Sequence, residues 1–550
     1  MDIKRTVLWV VLSMSLLFLW DNWMRASGKP SLFAPAVQEP AKAGTAAGGK
    51  ASANAAQASA GAVAGVTALA SGEATPLHSE IITVTTDVFK AEIDTLGGEL
   101  KRLELLKHKS STDPKKNEVL FDITETHTYL AQTGLIGGAF PNHKSGFVAK
   151  PGPRTLDGAN EVQLVLESEQ GGVKLSKTYT FKRGDYVIGV KHDVSNNSAA
   201  PITPSLYLQL VHDGHAPPGN SMFLSSYTGP TVYTETDKFQ KLTFEDIEKE
   251  KATHAKNADN GWVAIVQQFF VSAFLPQDKE QREIFTEKVA ANLYRVGVKM
   301  PLGTIAPGTT VTSDARLFSG PQESSLLDKV APGLDLVKDY GWLTIIAKPI
   351  FWVMDQLHKL LGNWGWTIIV FTVLIKLAFF PLSAAGYRSM GKMKVLTPKM
   401  QAIRERHKSD PQKMNQAMME LYKSEKANPL GGCLPILVQM PVFIALFWVL
   451  QASVEMRNAP WLGWIQDLAS PDPWFILPVL MAISMFIQTK LNPAPPDPIQ
   501  AKMMMIMPLV FSAMFFFFPS GLVLYYVVNN ILSIVQQWVI TRQIEGGKKT

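Results

Sequence analysis

The chain has 550 residues, which is enough for two or three domains. Hydrophobic residues make up 46% of it and charged residues 18%, so apolar side chains exceed the share usual in soluble proteins. The one cysteine, Cys433, excludes a scaffold held together by intramolecular disulfides. The net charge of +6 is modest, and its distribution along the chain is more informative than its size.

The first 25 residues have the pattern of a membrane-targeting segment. Lys4 and Arg5 precede an uncharged apolar run over 6–20. Bulky residues, among them Trp20 and Trp23, follow where a signal peptidase needs small ones, and tryptophan is typical of a membrane interface. We therefore predict an uncleaved transmembrane anchor over 1–25, with the N-terminus in the cytoplasm.

Residues 26–75 are rich in Ala and Gly and have no apolar periodicity, which predicts a disordered linker. Within them, residues 44–50 match the nucleotide-binding pattern GxxxxGK, but Ala51 stands where a hydroxyl is needed to bind Mg²⁺. We interpret this match as a coincidence of low-complexity sequence.

Residues 76–325 contain many short runs in which apolar and polar side chains alternate, separated by Gly, Pro, Asn and Asp. This pattern predicts a large antiparallel β-sandwich, and an N-terminal anchor of the predicted orientation places it in the periplasm. The clearest runs cover 81–86, 88–93, 161–167, 174–181, 186–194, 205–211, 291–298 and 309–318.

One close pair of histidines, His212 and His215, lies in this β-domain beside Asp213 and Gly214. Nearby Gly and Pro residues predict a loop. A third metal ligand does not follow at a diagnostic spacing, so we interpret the pair as polar loop residues and expect no metal. Carboxylates are scattered through the domain. A carbohydrate-active protein anchored in the membrane therefore stays open as an alternative.

The remaining residues predict a helical membrane domain. Residues 326–362 combine a linker with an amphipathic helix expected to lie in the membrane surface. Together with the anchor, five further apolar runs give a polytopic bundle of six spans, five of which form a core over 363–541. The five runs cover 366–382, 431–453, 473–489, 503–518 and 522–541, the last two separated by Pro519-Ser520-Gly521.

The distribution of charge sets the expected orientation. The loop over 384–430 has ten Lys and Arg residues against four acidic ones, whereas the loop over 453–474 has one Arg against three acidic residues. Because cytoplasmic loops are enriched in positive charge, the first loop and the basic tail over 542–550 are predicted to be cytoplasmic. The same orientation follows independently from the anchor.

The cytoplasmic loop is predicted to be a helical hairpin. Asp410-Pro411 is typical of a helix start, and Asn428-Pro429 of a helix end. Its basic side chains suit anionic lipid, ribosomal RNA or a protein partner. Its methionines suit either core packing or contact with varied apolar partners. The basic residues that we expect to make the contacts are Arg388, Lys392, Lys394, Arg404 and Arg406.

Lys376 is the one charged residue within the five C-terminal apolar runs. A lysine at mid-membrane costs about 2.5–3.5 kcal/mol on insertion scales, so it should face water or a partner. It lies near the cytoplasmic side, so its ammonium either extends to that surface or lines a hydrated cavity open to the cytoplasm, which we favour. No acidic residue lies in these runs, which argues against a proton-coupled transporter. The short run over 503–518 predicts a locally thinned bilayer.

Several motifs resemble the YidC membrane protein insertase family, in its Gram-negative form. They are TDV at 86–88 with Gly97-Gly98, NPLGGCLP at 428–435, QMPVF at 439–443 and FPSGLVLYY at 518–526. The resemblance implies a periplasmic β-supersandwich similar to sugar-mutarotase folds, and a hydrophilic groove open to cytoplasm and lipid. It also implies insertion of nascent membrane proteins into the bacterial inner membrane, alone or with the Sec translocon, without enzymatic activity or cofactor.

The resemblance also assigns groove residues. The positive groove residue is usually an arginine in the family, and Lys376 occupies its position here. Thr372 and Tyr526 match polar groove positions. The implied partners are nascent membrane proteins, the Sec translocon with its accessory subunits, anionic lipids and the ribosome, for which the short tail offers little contact. A solute transporter is the second alternative that stays open.

Overall fold

The computed structural model describes residues 79–110, 113–215, 227–277, 279–407, 410–425, 434–492 and 498–546. The predicted anchor, the linker with its GxxxxGK match, and Asn428-Pro429 lie outside these residues.

The first part of the described chain is built from short strands, as the alternating pattern predicts. In chain order they are β1 (Ile81–Thr85), β2 (Phe89–Asp94), β3 (Glu99–Lys109), β4 (Asn117–Val119), β5 (Asp122–Ile123), β6 (Thr128–Ile136), β7 (Val148–Ala149), β8 (Glu161–Gln170), β9 (Val173–Lys182), β10 (Val187–Asn196), β11 (Ser205–Asp213), β12 (Gly229–Thr234), β13 (Lys238–Lys241), β14 (Asn257–Ala258), β15 (Trp262–Val266), β16 (Phe270–Pro276), β17 (Arg282–Ala290), β18 (Leu293–Pro301) and β19 (Thr310–Pro321).

The strands form two antiparallel sheets that share one core. The first has the order β1-β2-β3-β6-β11-β18-β17-β14, with β4 paired to β3 and β5 to β6. The second has the order β13-β12-β15-β16-β19-β10-β9-β8-β7. The predicted antiparallel β-sandwich is therefore confirmed. Strands β15 and β16 do not alternate, because nearly all of their residues are buried.

Alternation places one charged side chain inside the sandwich. Val173, Leu175, Lys177, Tyr179 and Phe181 of β9 are all buried. The Lys177 ammonium donates hydrogen bonds to the carbonyls of Gly97, at 2.7 Å, and of Thr133, at 2.8 Å. Gly97 lies in the turn between β2 and β3, and Thr133 in β6, all of which belong to the opposite sheet. A buried cation requires such partners, so Lys177 joins the two sheets.

The turn that presents one of these carbonyls requires glycine. Gly97 has φ +83°, and an added Cβ would lie 2.4 Å from the carbonyl oxygen of His143. A residue with a side chain is strained at this φ and has no space there.

One histidine of the pair lies elsewhere than predicted, whereas His215 lies outside the strands, as expected of a loop residue. His212 and Asp213 are the last two residues of β11 rather than loop residues, and His212 is buried. The Asp213 carboxylate accepts the Thr128 N–H at 2.6 Å and contacts Nδ1 of His127 at 2.7 Å and of His215 at 2.9 Å. It thus ties the end of β11 to the start of β6.

Helices dominate the second part of the described chain. Two short helices, α1 (Phe244–Glu248) and α2 (Ser324–Val330), belong to the β-domain. The others are α3 (Thr344–Leu361), α4 (Trp364–Ala378), α5 (Phe380–Arg406), α6 (Pro411–Ser424), α7 (Leu434–Ala452), α8 (Ile476–Leu491), α9 (Pro498–Met514) and α10 (Ser520–Gly546).

Helix α3 is amphipathic, as its spacing predicts. Ala347 and Met354 are buried against neighbouring helices. Its other side is not purely polar, because Ile345 and Leu360 are more than 80% exposed and Trp352 is also exposed. An exposed apolar face of this kind suits a membrane surface, which stays a prediction.

The run over 366–382 is not one straight helix. It bends by 67° between α4 and α5. Pro381 lies in the first turn of α5, where its ring excludes a continuous helical hydrogen-bond ladder. Phe379 caps α4, its N–H donating to the carbonyls of Ile375 and Leu377. Lys376 is therefore held in the last turn of α4, directly before the bend.

The described residues contain few helices that satisfy the length and hydropathy of a membrane span alone. Residues Ser520–Gln543 of α10 do, and Trp364–Ala378 with Phe380–Met393 do so as a bent pair. Shorter apolar helices cover Gln439–Ala452, Ile476–Leu491 and Met505–Phe517. The helical domain is thus confirmed, whereas the count of six spans stays a prediction.

The loop between α7 and α8 fastens the helical domain to the β-domain. Glu455 accepts two hydrogen bonds from the buried Lys338 ammonium, at 2.9 and 3.0 Å, and this ammonium lies 3.9 Å from the centroid of the Phe351 ring. The guanidinium of Arg457 donates to the carboxylate of Glu118 at 2.6 Å. Both ion pairs of this contact are thus hydrogen-bonded and largely shielded from water.

We expect this contact to contribute strongly to stability. In Lys338→Met, the Glu455 carboxylate stays buried without its cation, and the free energy of unfolding should fall by about 3 kcal/mol. The measurement is the melting temperature of the full chain in detergent. Lys348→Met is the control, since its ion pair with Asp335 is more exposed and should contribute less than about 1 kcal/mol. Equal effects of the two substitutions would contradict the prediction.

The β-domain should lose stability in acid. Burial lowers the pKa of His192 to about 3 and that of His108, His143 and His212 to about 4. These histidines are neutral when folded but take up protons below about pH 6.5 when unfolded, so their contribution is complete above that pH and decreases towards pH 4. Glu99 opposes them, because burial raises its pKa to about 7.

Hydrogen–deuterium exchange of β10 and β11 in the full chain, corrected for intrinsic rates, measures this effect. Protection should decrease between pH 7 and pH 5. His192→Gln should make the decrease less steep, and His407→Gln, in the helical domain, should leave it unchanged. Protection that is constant over this interval would show that the four histidines do not couple folding to pH.

Candidate functional site

A cavity of about 330 Å³ lies among α4, α5, α7, α8 and α10. Each helix contributes side chains from one face, because residues three or four apart lie on the same side of a helix. The polar residues that line it are Lys376, Ser383, Tyr387, Gln439, Gln488, Asn492, Asn529, Asn530 and Ser533. Methionine and aromatic side chains line the rest, namely Met390, Met440, Phe443, Tyr525 and Tyr526.

Lys376 is the one charged side chain in the described wall of this cavity. It is 5% exposed, and its ammonium donates a hydrogen bond of 2.7 Å to the Ser533 hydroxyl. The sequence analysis left two positions open for this ammonium, and the structure favours the cavity over the surface. The ammonium is more enclosed than predicted, since α10 covers one side of it.

The remaining polar groups of the cavity are neutral dipoles. Nε2 of Gln439 donates to Oδ1 of Asn529 at 2.9 Å, which links α7 to α10. Nδ2 of Asn530 donates to the Ser484 hydroxyl at 3.2 Å, which links α10 to α8. Such bonds between neighbouring helices satisfy polar side chains inside a helical bundle.

Tyr526 also lines the cavity. Its ring lies 4.6 Å from that of Phe443 and 4.7 Å from that of Phe515, measured between centroids. This packing makes one end of the cavity aromatic. Tyr525 is almost fully buried beside it.

Thr372 is not brought together with Lys376 in the described cavity wall. Its side chain is 1% exposed, and its hydroxyl donates to the Ile368 carbonyl at 2.6 Å within α4. This bond to the preceding turn satisfies the hydroxyl locally, so Thr372 serves packing between helices in this conformation.

The predicted hairpin consists of the second half of α5 and of α6. Leu396 and Met400 are buried at its centre, with Met393 and Met418 against them, so part of its methionines form a small core. Asp410 begins α6, and its carboxylate accepts the N–H groups of Gln412 and Lys413. The predicted helix start is therefore correct.

The basic residues of the hairpin point mostly to solvent. Arg388, Lys392 and Arg406 are exposed and Arg404 is half-buried, whereas the side chain of Lys394 lies outside the described set. All five belong to α5, and none of them is part of the described cavity wall. The structure thus separates two positive regions, a buried one at Lys376 and an exposed one on the hairpin.

Models of known families match most of the chain. The model of the YidC periplasmic domain matches residues 81–353, and that of the 60Kd inner membrane protein matches residues 356–548. The membrane protein insertase YidC of Herminiimonas arsenicoxydans is 64% identical over 570 aligned residues that cover 100% of both chains. The chain belongs to the YidC family of membrane protein insertases.

Further comparisons give two other similar proteins. The YidC insertase of Janthinobacterium sp. strain Marseille is 63% identical over 99% of each chain. A crystal structure of an active YidC insertase with its first transmembrane domain resolved has a TM-score of 0.39 and 19% identity, over 83% of this chain and 91% of that one. The relatives confirm the predictions of an inner-membrane YidC insertase that has a periplasmic domain and is not an enzyme.

The sequence analysis looked for charged residues in the apolar runs and therefore missed several neutral residues of the cavity wall. The signal was present as amides and hydroxyls at helical spacing in apolar runs. Asn529, Asn530 and Ser533 form such a set in α10, and Gln439 is a single polar residue of this kind in α7. A polar side chain in an uncharged span, repeated every three or four residues, predicts a shared polar face.

The start of α6 in this YidC chain gives a direct test of the hairpin. Asp410→Ala removes the acceptor for two N–H groups and should destabilise α6 by about 1 kcal/mol. Hydrogen–deuterium exchange of residues 411–424 in the full chain should become faster. Asp410→Asn keeps a capping oxygen and should restore most of the protection. If both substitutions behave like the original chain, the cap does not support the hairpin.

Proposed function

We propose that the cavity around Lys376 is the groove through which this insertase receives its clients, the nascent membrane proteins. The observation that carries the proposal is the Lys376 ammonium, which lines a cavity and is hydrogen-bonded to a hydroxyl rather than to a carboxylate. The ammonium attracts an acidic or polar part of a nascent chain into the cavity. The apolar segment of the client then moves along the apolar faces of α7 and α9 into lipid.

Electrostatics supports this role. A neutral hydroxyl binds an ammonium less strongly than a carboxylate does, because the carboxylate adds the attraction between two opposite charges. A client carboxylate therefore displaces Ser533 with a gain in free energy. A built-in acidic partner would remove this gain, and the described cavity wall contains none.

The energy for insertion comes from partitioning of the client. Each CH₂ group transferred from water to an apolar environment contributes about 0.8 kcal/mol, so a segment of about 20 residues moves into lipid without nucleotide hydrolysis. Amide and hydroxyl groups such as Gln439 and Asn529 offer hydrogen bonds to the polar client segment during transfer. The cavity lowers the barrier, and the bilayer supplies the driving force.

The proposed topology has six spans with both termini in the cytoplasm. In it, 1–25 are the anchor, 26–75 the linker, 76–325 the periplasmic domain, 326–362 the linker with α3 on the membrane surface, and 363–541 the insertase core. The groove is open to cytoplasm and lipid and closed towards the periplasm. The charge difference between the loops 384–430 and 453–474 supports this orientation.

The hairpin is proposed as the cytoplasmic contact region. Arg388, Lys392, Lys394, Arg404 and Arg406 provide positive charge for anionic lipids. The Sec translocon and its accessory subunits are further proposed partners, and the ribosome is one to which the short basic tail over 542–550 contributes little. Removal of these charges should weaken recruitment and leave the cavity intact.

The test removes the charge at Lys376. In proteoliposomes that contain this protein alone, Lys376→Met should lower insertion of a small client with an acidic tail by about tenfold or more, because a hydrogen bond to a charged group is worth about 1.5–3 kcal/mol. Lys376→Arg keeps the charge and should retain insertion. Protection of the client from external protease measures insertion.

Lys490→Met is the matched control, since Lys490 is an exposed lysine in the last turn of α8 and contributes no charge to the described cavity wall. A client whose acidic tail is neutralised should respond little to any of these substitutions. Undiminished insertion of the acidic client by Lys376→Met would overturn the proposed role of the cation.

A further inference from the structure

Ser533 on α10 occupies a central position in the cavity wall. Its oxygen accepts a hydrogen bond from the Lys376 ammonium on α4 at 2.7 Å. Its own proton is donated to the Asn529 carbonyl one turn earlier in α10, at 2.8 Å. The hydroxyl is therefore oriented by the backbone of its helix, with its lone pairs directed away from that carbonyl and towards Lys376.

A third helix reaches the same part of the cavity. Tyr387 on α5 lines the cavity wall together with Lys376 and Ser533. Ser533 accepts a hydrogen bond from α4 and donates one within α10, which fixes the direction of its hydroxyl.

The lysine side chain would not hold this position by itself. Its four-carbon stem is flexible, and an ammonium near a membrane boundary extends towards water when no partner retains it. Lys376 is nevertheless 5% exposed, and Ser533 is 8% exposed. A specific partner inside the wall accounts for this enclosure better than the length of the stem does.

We propose that Ser533 is a positioning residue, which holds the Lys376 ammonium in the cavity wall and thereby sets how clients with acidic segments are recognised. This inference rests on the function proposed for Lys376 and adds the group that holds the Lys376 ammonium in position. Ser533 acts through Lys376 and need not contact the client. The neutral hydroxyl fixes the cation without neutralising it.

The first experiment measures the position of the ammonium directly. The full chain in inverted membrane vesicles is treated with a water-soluble amine-acetylating reagent, and modification of Lys376 is quantified by mass spectrometry. Ser533→Ala should raise the modification rate about threefold, the effect typical of one side-chain hydrogen bond between membrane helices. Ser533→Thr keeps the hydroxyl and should restore the original rate.

The matched control is Ser512→Ala in α9. Ser512 is buried and donates to the Pro508 carbonyl one turn earlier at 2.7 Å, as Ser533 does to Asn529, but it is not part of the described cavity wall. Its substitution removes the same type of local bond, so it should leave the modification of Lys376 unchanged. A general loosening of the bundle would raise the rate in both variants and would contradict the proposal.

The second experiment measures insertion with a double-mutant cycle. Ser533→Ala should lower the ratio of acidic-tail to neutral-tail client insertion about threefold in the original chain. In the Lys376→Met background it should have no effect on this ratio, because the cation through which it acts is absent.

The outcomes separate the two proposals. If Lys376→Met leaves the ratio unchanged, the function proposed for Lys376 fails. If Lys376→Met lowers the ratio but Ser533→Ala does not, or if the two effects add, the positioning role of Ser533 fails while the role of Lys376 stands. A lower ratio in Ser533→Ala that is restored in Ser533→Thr supports both proposals.

Discussion

The cavity depends on a single constraint, which is that a cation enclosed by membrane helices must be solvated by something other than water. In this protein the solvating groups are oxygen atoms without net charge. Ser533 provides the nearest one, and its own geometry is fixed by the α10 backbone. Because dipoles rather than a carboxylate surround Lys376, its charge is stabilised but not cancelled. The enclosed region stays electropositive, which suits the proposed role of the cavity in receiving negative or polar segments.

The break between α4 and α5 is the second part of this arrangement. Pro381 ends the helical ladder, so the chain turns by 67° three residues after Lys376. The last carbonyls of α4 carry the negative end of its helix dipole, which favours a cation in the final turn. A straight helix through 382 would place the same lysine in mid-helix, without this contribution. The bend thus places Lys376 in a final helical turn, where the helix dipole contributes to the stabilisation of its charge.

Much of this fold was predictable because it follows from local periodicity and from Pro and Asp positions. The alternating runs predicted the sandwich, Pro519 predicted the start of α10, and Asp410 predicted the start of α6. Predictions failed where long-range packing decides. Strands β15 and β16 are buried on both sides, so they show no alternation, and His212 lies in a strand although Gly and Pro follow it.

The site was predictable in its charge and not in its neutral partners. Inserting an unpaired lysine into a membrane costs free energy, so Lys376 stands out in an apolar run of the sequence. Tyr526 was expected from the resemblance. Ser533, Gln439 and Asn529 cost little free energy in a membrane helix, and their importance comes from their contacts with side chains of neighbouring helices. Thr372, one helical turn before Lys376, was predicted from the resemblance to line the groove. Its hydroxyl instead donates a hydrogen bond within α4.

The contact between the two domains has a mechanical consequence. The loop with Glu455 and Arg457 joins α7 to α8, and both helices line the cavity. Where this loop is clamped against the large β-domain, the adjoining helix ends have little freedom to move. Any widening of the cavity must then come from displacement of the opposite ends of α7 and α8, with the clamped loop as the pivot.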